Sequence, residues 1–192
     1  MDGTDARWVA DARLGQAQAF RRLVEVHARP LFHVCVRITR DEALAEDAVQ
    51  EAFYKAWRGL PEFDGRAAFG TWLHRIAVNS ALEQLRRNAR HRHEASGSED
   101  DDEHDDALLE RQGDDAPGPE SHATGSEIER CIDRQLARMS ALERAAFVMR
   151  HYQGEPLEAI AATLSINIGQ SKQAVFRAVR KLRAALEPWR DA

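Results

Sequence analysis

Along residues 41–57, "DEALAEDAVQEAFYKAW", apolar side chains fall at Ala45, Ala48, Val49, Ala52, Phe53 and Ala56. Steps of three and four residues place them on one face of a helix, and Asp41 stands where an N-cap is needed. Most of residues 1–93 share this character, rich in Ala, Leu, Arg, Glu and Gln with no alternating β-branched run, so helix is predicted nearly throughout. "GLPEF", residues 59–63, interrupts the pattern with Gly and Pro, and a second helix is predicted from about Phe69 to Arg92. Between residues 94 and 126 the periodicity disappears. Gly, Pro, Ser and acids replace nearly all large apolar residues, which predicts a disordered or extended segment. Helical periodicity returns at about Glu127.

The pattern is sharpest near the C-terminus. "PLEAIAATL" (Pro156–Leu164) predicts a short helix with Pro in its first turn, and "SIN" follows as a turn. "IGQSKQAVFRAVRKLRAAL" then predicts a longer helix with a core stripe of Val175, Val179, Leu182 and Leu186. Asn167 and Gln170 have the spacing of a capping box, which fixes where that helix begins. A short helix, a tight turn and a longer helix presenting Lys172, Gln173, Arg177 and Arg180 form a helix-turn-helix pattern suited to DNA. An ordinary helical hairpin with a solvated basic face would show the same pattern.

Charge divides the chain where the periodicity does. Residues 1–93 carry a net +3, residues 94–126 a net −11 and residues 127–192 a net +3. The overall net charge of −5 therefore averages two basic blocks and one strongly acidic one, and by itself says nothing about partners. Cys35 and Cys131 stand alone in apolar surroundings, as reduced core residues of a cytoplasmic protein would. The N-terminus lacks the apolar core of a signal peptide, and no apolar run approaches membrane-spanning length, so no membrane insertion is expected. There is no Gly-rich phosphate loop and no GxSxG, so no enzyme, catalytic residue or cofactor is expected. His91, His93 and His104 lie near aspartates but lack the fixed spacing of a metal site, and no metal is expected.

"AEDAVQEAFYKAW", then "FDGRAAFGTWLHRIAVNSALEQLRR", then a C-terminal helix-turn-helix, together resemble the extracytoplasmic-function (ECF) sigma factors. These are the compact members of the sigma-70 family of bacterial transcription initiation factors. The resemblance covers roughly residues 15–93 and 127–187. It implies an all-α fold of two small helical domains: sigma region 2 over residues 1–93 and sigma region 4 over 127–192, joined by the acidic linker 94–126. It further implies a protein that binds core RNA polymerase and directs initiation at promoters by recognising their −10 and −35 elements. A stand-alone helix-turn-helix regulator is the alternative; it accounts for the C-terminal pattern but not for "AEDAVQEAF" or the arginine-asparagine helix.

By the same resemblance, the helix over Asp41–Trp57 docks on the β′ clamp helices of the polymerase, and the β flap is a further polymerase contact of the protein. The polar face opposite its apolar stripe offers Glu46, Asp47, Gln50, Glu51 and Tyr54, suited to a basic partner surface or merely solvated. For the −10 element the candidates are Phe63, Asp64 and Gly65 in the loop and Arg75, Asn79, Arg86, Arg87 and Arg90 on the helix after it. Arginine neutralises phosphate, asparagine can bond a base edge, and an aromatic ring can stack an exposed base. Trp72 is expected in the core, and His74 on the surface. For the −35 element they are Gln170, Lys172, Gln173, Phe176 and Arg177, with Arg180 and Lys181 nearer the phosphates. Ser165, Pro156 and Ala159 replace the glycine, serine and glutamate of many relatives, and Glu83 replaces an aspartate. An anti-sigma partner is implied as well. The acidic segment is suited to part-occupancy of polymerase channels that are basic because they hold nucleic acid, or to service as a spacer.

Overall fold

The computed structural model describes residues 3–96 and 127–187, and within them the chain is all-α. Four helices form the first half: α1 (Gly3–Arg13), α2 (Ala17–Thr39), α3 (Glu42–Gly59) and α4 (Phe69–Ser96). A short 3₁₀ turn, Leu60–Glu62, follows α3 where Gly59 and Pro61 interrupt the helix. The second half holds α5 (Glu127–Ala137), α6 (Ala141–His151), α7 (Leu157–Leu164) and α8 (Ile168–Leu186). No helix among the described residues is long and apolar enough to cross a membrane.

Local chemistry sets the boundaries. Asp41 caps α3 by accepting from the Leu44 N–H at 2.9 Å. Asn167 and Gln170 form the predicted capping box on α8, with reciprocal bonds of 2.8 and 2.9 Å. Ser140 and Glu143 form another at the start of α6. Helix α7 begins at Leu157, one residue later than predicted, with Pro156 just before it, and Ser165 ends that helix in a left-handed conformation, φ +56°.

The two small helical halves expected from the sequence are present, and they pack on one another. In the first half, α2, α3 and α4 pack on one another around Leu23, Leu31, Ile38, Leu73 and Val78. In the second, α5, α6 and α7 pack on α8. The two halves then share one apolar core, which runs from Val9, Phe53 and Leu73 into Ala145, Met149 and Ile160. Helix α6 rests on α2, and α4 touches both α6 and α7. The predicted stripe of α8 is also rotated. Ser171, Ala174, Ala178 and Leu182 are buried, whereas Val175 and Val179 are half-buried. Small side chains let α6 and α7 approach closely, and Ser171 Oγ can then donate to the Leu157 carbonyl at 3.2 Å.

Arg144 on α6 ties the halves together. It is 3% exposed, and its Nε donates to the Ile38 carbonyl near the end of α2 at 2.7 Å. Its Nη1 donates to Met139 O at 2.6 Å and Leu136 O at 3.3 Å. Burial, with Arg40 nearby, pulls its pKa down to about 10, so the group still carries its charge at neutral pH. The carbonyls at the end of α2 have no helical donor of their own, and a cation there satisfies one and complements the helix dipole. Cys35 and Cys131 are free and buried, and burial pushes the Cys35 thiol up to about 12, leaving it an unreactive core group.

Two predictions follow from this core. Replacing Arg144 by Met keeps the stem but strips three carbonyls of a charged donor, and should lower stability by about 3 kcal/mol in a denaturant melt. His74 is half-buried rather than on the surface, and its Nε2 is buried without a hydrogen-bond partner among the described residues. Burial, and then His27, hold its pKa below the ordinary 6.5. The folded chain thus binds this proton more weakly than the unfolded chain, so the penalty is absent above the unfolded value and grows as pH falls through it. The loss of melting temperature from about pH 7 to about pH 5 should be smaller in His74→Asn than in the parent chain.

Candidate nucleic-acid and protein interfaces

Helix α3 turns its apolar stripe to α2 and α4 and leaves the opposite face to solvent. Glu46, Asp47, Gln50 and Tyr54 are exposed there. Glu51 is half-buried, and Lys55 reaches it at 3.5 Å. Beyond the predicted acids, the face continues into two aromatic rings. Tyr54 lies beside Arg58, and Trp57, 40% exposed, meets Phe20 edge-to-face at 4.9 Å. An acidic patch ending in half-exposed rings is a composition suited to a protein partner.

The loop before α4 serves differently from its sequence expectation. Phe63 is 7% exposed and packs on Phe69 and Trp72, with ring centres 6.0 and 4.9 Å away. It is therefore core and offers no platform to a base. The hydrophobic pattern had placed Trp72 in that core, and Phe63 is the ring that completes it. Asp64 and Gly65 remain exposed, and Gly65 takes φ +74°, a conformation that favours glycine. Asp64 accepts from the Arg66 backbone N–H and guanidinium, which hold its carboxyl below the usual carboxylate range, so it stays ionised.

On α4, Arg87 and Arg90 are exposed, and Asn79 and Arg86 are half-buried. Glu83 organises this helix: Lys55 Nζ meets it at 2.7 Å and Arg87 at 3.8 Å. Arg75 is drawn elsewhere. Its Nε and Nη2 donate to the two carboxylate oxygens of Glu155, in the loop before α7, at 3.2 and 2.7 Å. Nothing in the local sequence marks Glu155, because the pair is 80 residues apart.

Helix α8 presents Lys172, Gln173, Phe176, Arg177 and Arg180 to solvent along its outer face. Phe176 is 63% exposed, and Arg177 donates to Gln173 Oε1 at 3.4 Å. Two candidates are already engaged within the chain. Gln170 closes the capping box through its amide oxygen, which leaves only its amide nitrogen to read with. Lys181 Nζ donates to Glu143 Oε2 at 2.6 Å and to the Arg138 carbonyl at 3.2 Å, so it ties α8 to α6 and does not face phosphate. Glu143 is nearly fully buried, and an unpaired carboxylate there would be costly. Among the described residues no three His, Cys, Asp or Glu side chains group as metal ligands. His104 and the His93 side chain lie outside the described residues.

Comparison with known proteins agrees with both halves. The model for Sigma-70 region 2 matches residues 23–91, and that for Sigma-70 region 4 matches residues 129–182. The chain is 32% identical to the RNA polymerase sigma-H factor of Pseudomonas aeruginosa, over 96% of this chain and 94% of that one. It is 30% identical to the ECF RNA polymerase sigma-E factor of Haemophilus influenzae, over 96% of each chain. It is 32% identical to the ECF RNA polymerase sigma factor SigL of Mycobacterium tuberculosis, over 93% of this chain and 95% of that one. Among solved structures, the sigma factor RpoE of Bartonella quintana, crystallised with the anti-sigma factor NepR, aligns with a TM-score of 0.63 at 23% identity. That match covers 88% of this chain and 96% of the other. CnrH, in complex with the cytosolic domain of CnrY, aligns with a TM-score of 0.55 at 24% identity, over 96% of this chain and 98% of the other. At such identities the structures speak to the fold, whereas the curated relatives span both halves in order. The chain belongs to the sigma-70 family of RNA polymerase sigma factors, in its ECF group.

Proposed function

We propose that this chain binds core RNA polymerase through the outer face of α3 and directs initiation at promoters read by α4 and α8. The observation that carries the reading is the pairing, within one chain, of a region 2 helix bearing Asn79, Arg87 and Arg90 with a region 4 helix-turn-helix whose α8 face is exposed and cationic. Glu46, Asp47, Gln50 and Tyr54 form the polymerase contact. Asp64, Gly65, Arg75, Asn79, Arg86, Arg87 and Arg90 serve the −10 element, and Lys172, Gln173, Phe176, Arg177 and Arg180 serve the −35 element. Residues 1–93 and 127–192 act as the two functional domains. The segment 94–126, with its net charge of −11, enters basic channels of the polymerase. Its place of work is the cytoplasm with the polymerase, and an anti-sigma protein is its natural regulator, as in the complex of RpoE with NepR. A stand-alone regulator accounts for α8 but not for the region 2 match, and that reading is set aside.

The mechanism follows from the donors available. Exposed arginines on α4 neutralise phosphates on either side of a strand, while Asn79, with a donating NH₂ and an accepting carbonyl oxygen, can discriminate a base once melting exposes its edge. Phe63 and Trp72 stiffen the turn that presents Asp64 and Gly65, so the loop is held by packing rather than by a ligand. On α8, Arg177 and Lys172 project from the first half of the helix, which is the end a helix-turn-helix inserts into the major groove.

Reversing the charge of Glu46 and Asp47 together, by Glu46→Arg and Asp47→Arg, should weaken capture by core polymerase about tenfold while helicity is kept, since both lie off the buried stripe. Equal capture by the double variant would remove α3 from the interface. Asn79→Ala should reduce permanganate reactivity of −10 thymines and leave closed-complex affinity nearly unchanged. Arg177→Ala should instead weaken closed-complex binding by about 1–3 kcal/mol at promoters with an intact −35 element. If the two variants fail at the same step, the division of labour is wrong. A mobility shift with and without core polymerase tests the whole reading, because a stand-alone regulator would bind the duplex tightly by itself.

A further inference from the structure

The seam between the halves occupies a residue that the promoter needs. Arg75 offers Glu155 the edge of its guanidinium formed by Nε and Nη2, which is the geometry in which arginine grips a phosphate. The Glu155 side chain is 5% exposed, and that of Arg75 is 37% exposed. Beside the shared apolar core, three further polar contacts cross the seam among the described residues. Arg144 donates to the Ile38 carbonyl, Arg40 meets Asp133 at 3.3 Å, and the Arg37 guanidinium lies 4.5 Å from the centre of the Tyr152 ring. Asp133 and Tyr152 are well exposed, so water and salt weaken those two contacts. Arg144 keeps two carbonyl acceptors within its own half when the halves part. Glu155 is the buried anion of the seam, and its carboxylate partner in the closed form is Arg75.

Size argues that this closed form cannot initiate. Elements centred at −35 and −10 lie about 25 base pairs apart, or about 85 Å at 3.4 Å per pair. A packed body of the described residues has a radius of gyration of about 15 Å and a diameter of about 40 Å. Helices α4 and α8 therefore cannot reach both elements until the halves separate. The chain between them permits it, because residues 97–126 could span about 100 Å when extended.

We propose that Glu155 is an internal latch, holding Arg75 in place of a DNA phosphate and keeping the free protein closed until polymerase and promoter draw the halves apart. The latch rests on the assignment of Arg75 to the −10 strand. On opening, the Glu155 carboxylate regains water while Arg75 gains phosphate, so the exchange is reversible and its cost falls on the free state.

The test uses the full chain and the variants Glu155→Gln and Glu155→Lys, with far-UV circular dichroism to establish that each retains its helices. Two quantities are measured without polymerase: the radius of gyration from solution scattering, and affinity for a single-stranded oligonucleotide of −10 sequence by fluorescence anisotropy. Both should rise in the order parent, Gln, Lys. Affinity should increase by about tenfold in Glu155→Lys if the open form is about a tenth of the parent population. The double variant Arg75→Glu with Glu155→Lys restores the pair with its charges exchanged, and should return the scattering to the parent value. Unchanged dimensions in both single variants, or a double variant as expanded as Glu155→Lys, would overturn the latch. Transcription by the parent chain with core polymerase is run in parallel. Its success alongside unchanged variants refutes the latch alone, and its failure refutes the promoter reading beneath it.

Discussion

Arg144 carries its charge into the seam between the halves, where almost no water reaches it, and satisfies it there with three backbone carbonyls. One carbonyl belongs to α2 in the first half. The other two belong to the residues that lead from α5 into α6. The turn between α5 and α6, the end of α2 and the docking of α6 on α2 therefore depend on one guanidinium. A buried cation unpaired in this way would be a severe penalty, so the neighbouring helices must converge on it in one arrangement. The shared apolar core then closes around that arrangement, with Ala145, Ala146 and Met149 completing what Leu31 and Ile38 begin.

Local pattern revealed the helices well. The stripe of α3, its Asp41 cap and the Asn167–Gln170 box all stand as the spacing implied, because each is set by residues within a turn or two. The Ser140–Glu143 box was equally visible in "SALE" and marks the start of α6. What the pattern could not show were commitments made across the fold. Lys181 resembled a phosphate ligand until Glu143, 38 residues away, claimed it. Phe63 resembled a stacking platform until Phe69 and Trp72 closed over it. The stripe of α8 was assigned to its larger side chains, whereas tight helix approach buries alanine and serine instead. Arg75 was read only as a candidate for the −10 strand, and the partner that holds it stands 80 residues on.

These commitments divide the cationic residues into two sets. Arg144 and Lys181 are committed within the fold, Arg144 across the seam to α2 and Lys181 between α8 and α6. Arg87, Arg90, Lys172, Arg177 and Arg180 remain exposed on α4 and α8, the two helices assigned to DNA. Arg75 joins both sets under the proposed latch, a ligand of Glu155 in the closed chain and of phosphate in the open one. The acids divide in parallel. Glu143 and Glu155 are buried and paired, Glu46 and Asp47 face outward on α3, and 12 of the chain's 32 acids are gathered between the halves in sequence. On the proposed reading, charge thus distinguishes what folds the protein, what meets polymerase and what meets DNA.

The central claim is that the free chain is closed and that polymerase opens it. Single-molecule energy transfer between dyes at the exposed positions Glu25 and Glu158, one in each half, measures this directly. The free protein should show one population at short distance, and core polymerase should shift it to a separation longer by tens of ångströms. A distance distribution that is already long and broad in the free chain, or one that polymerase leaves unchanged, would contradict it.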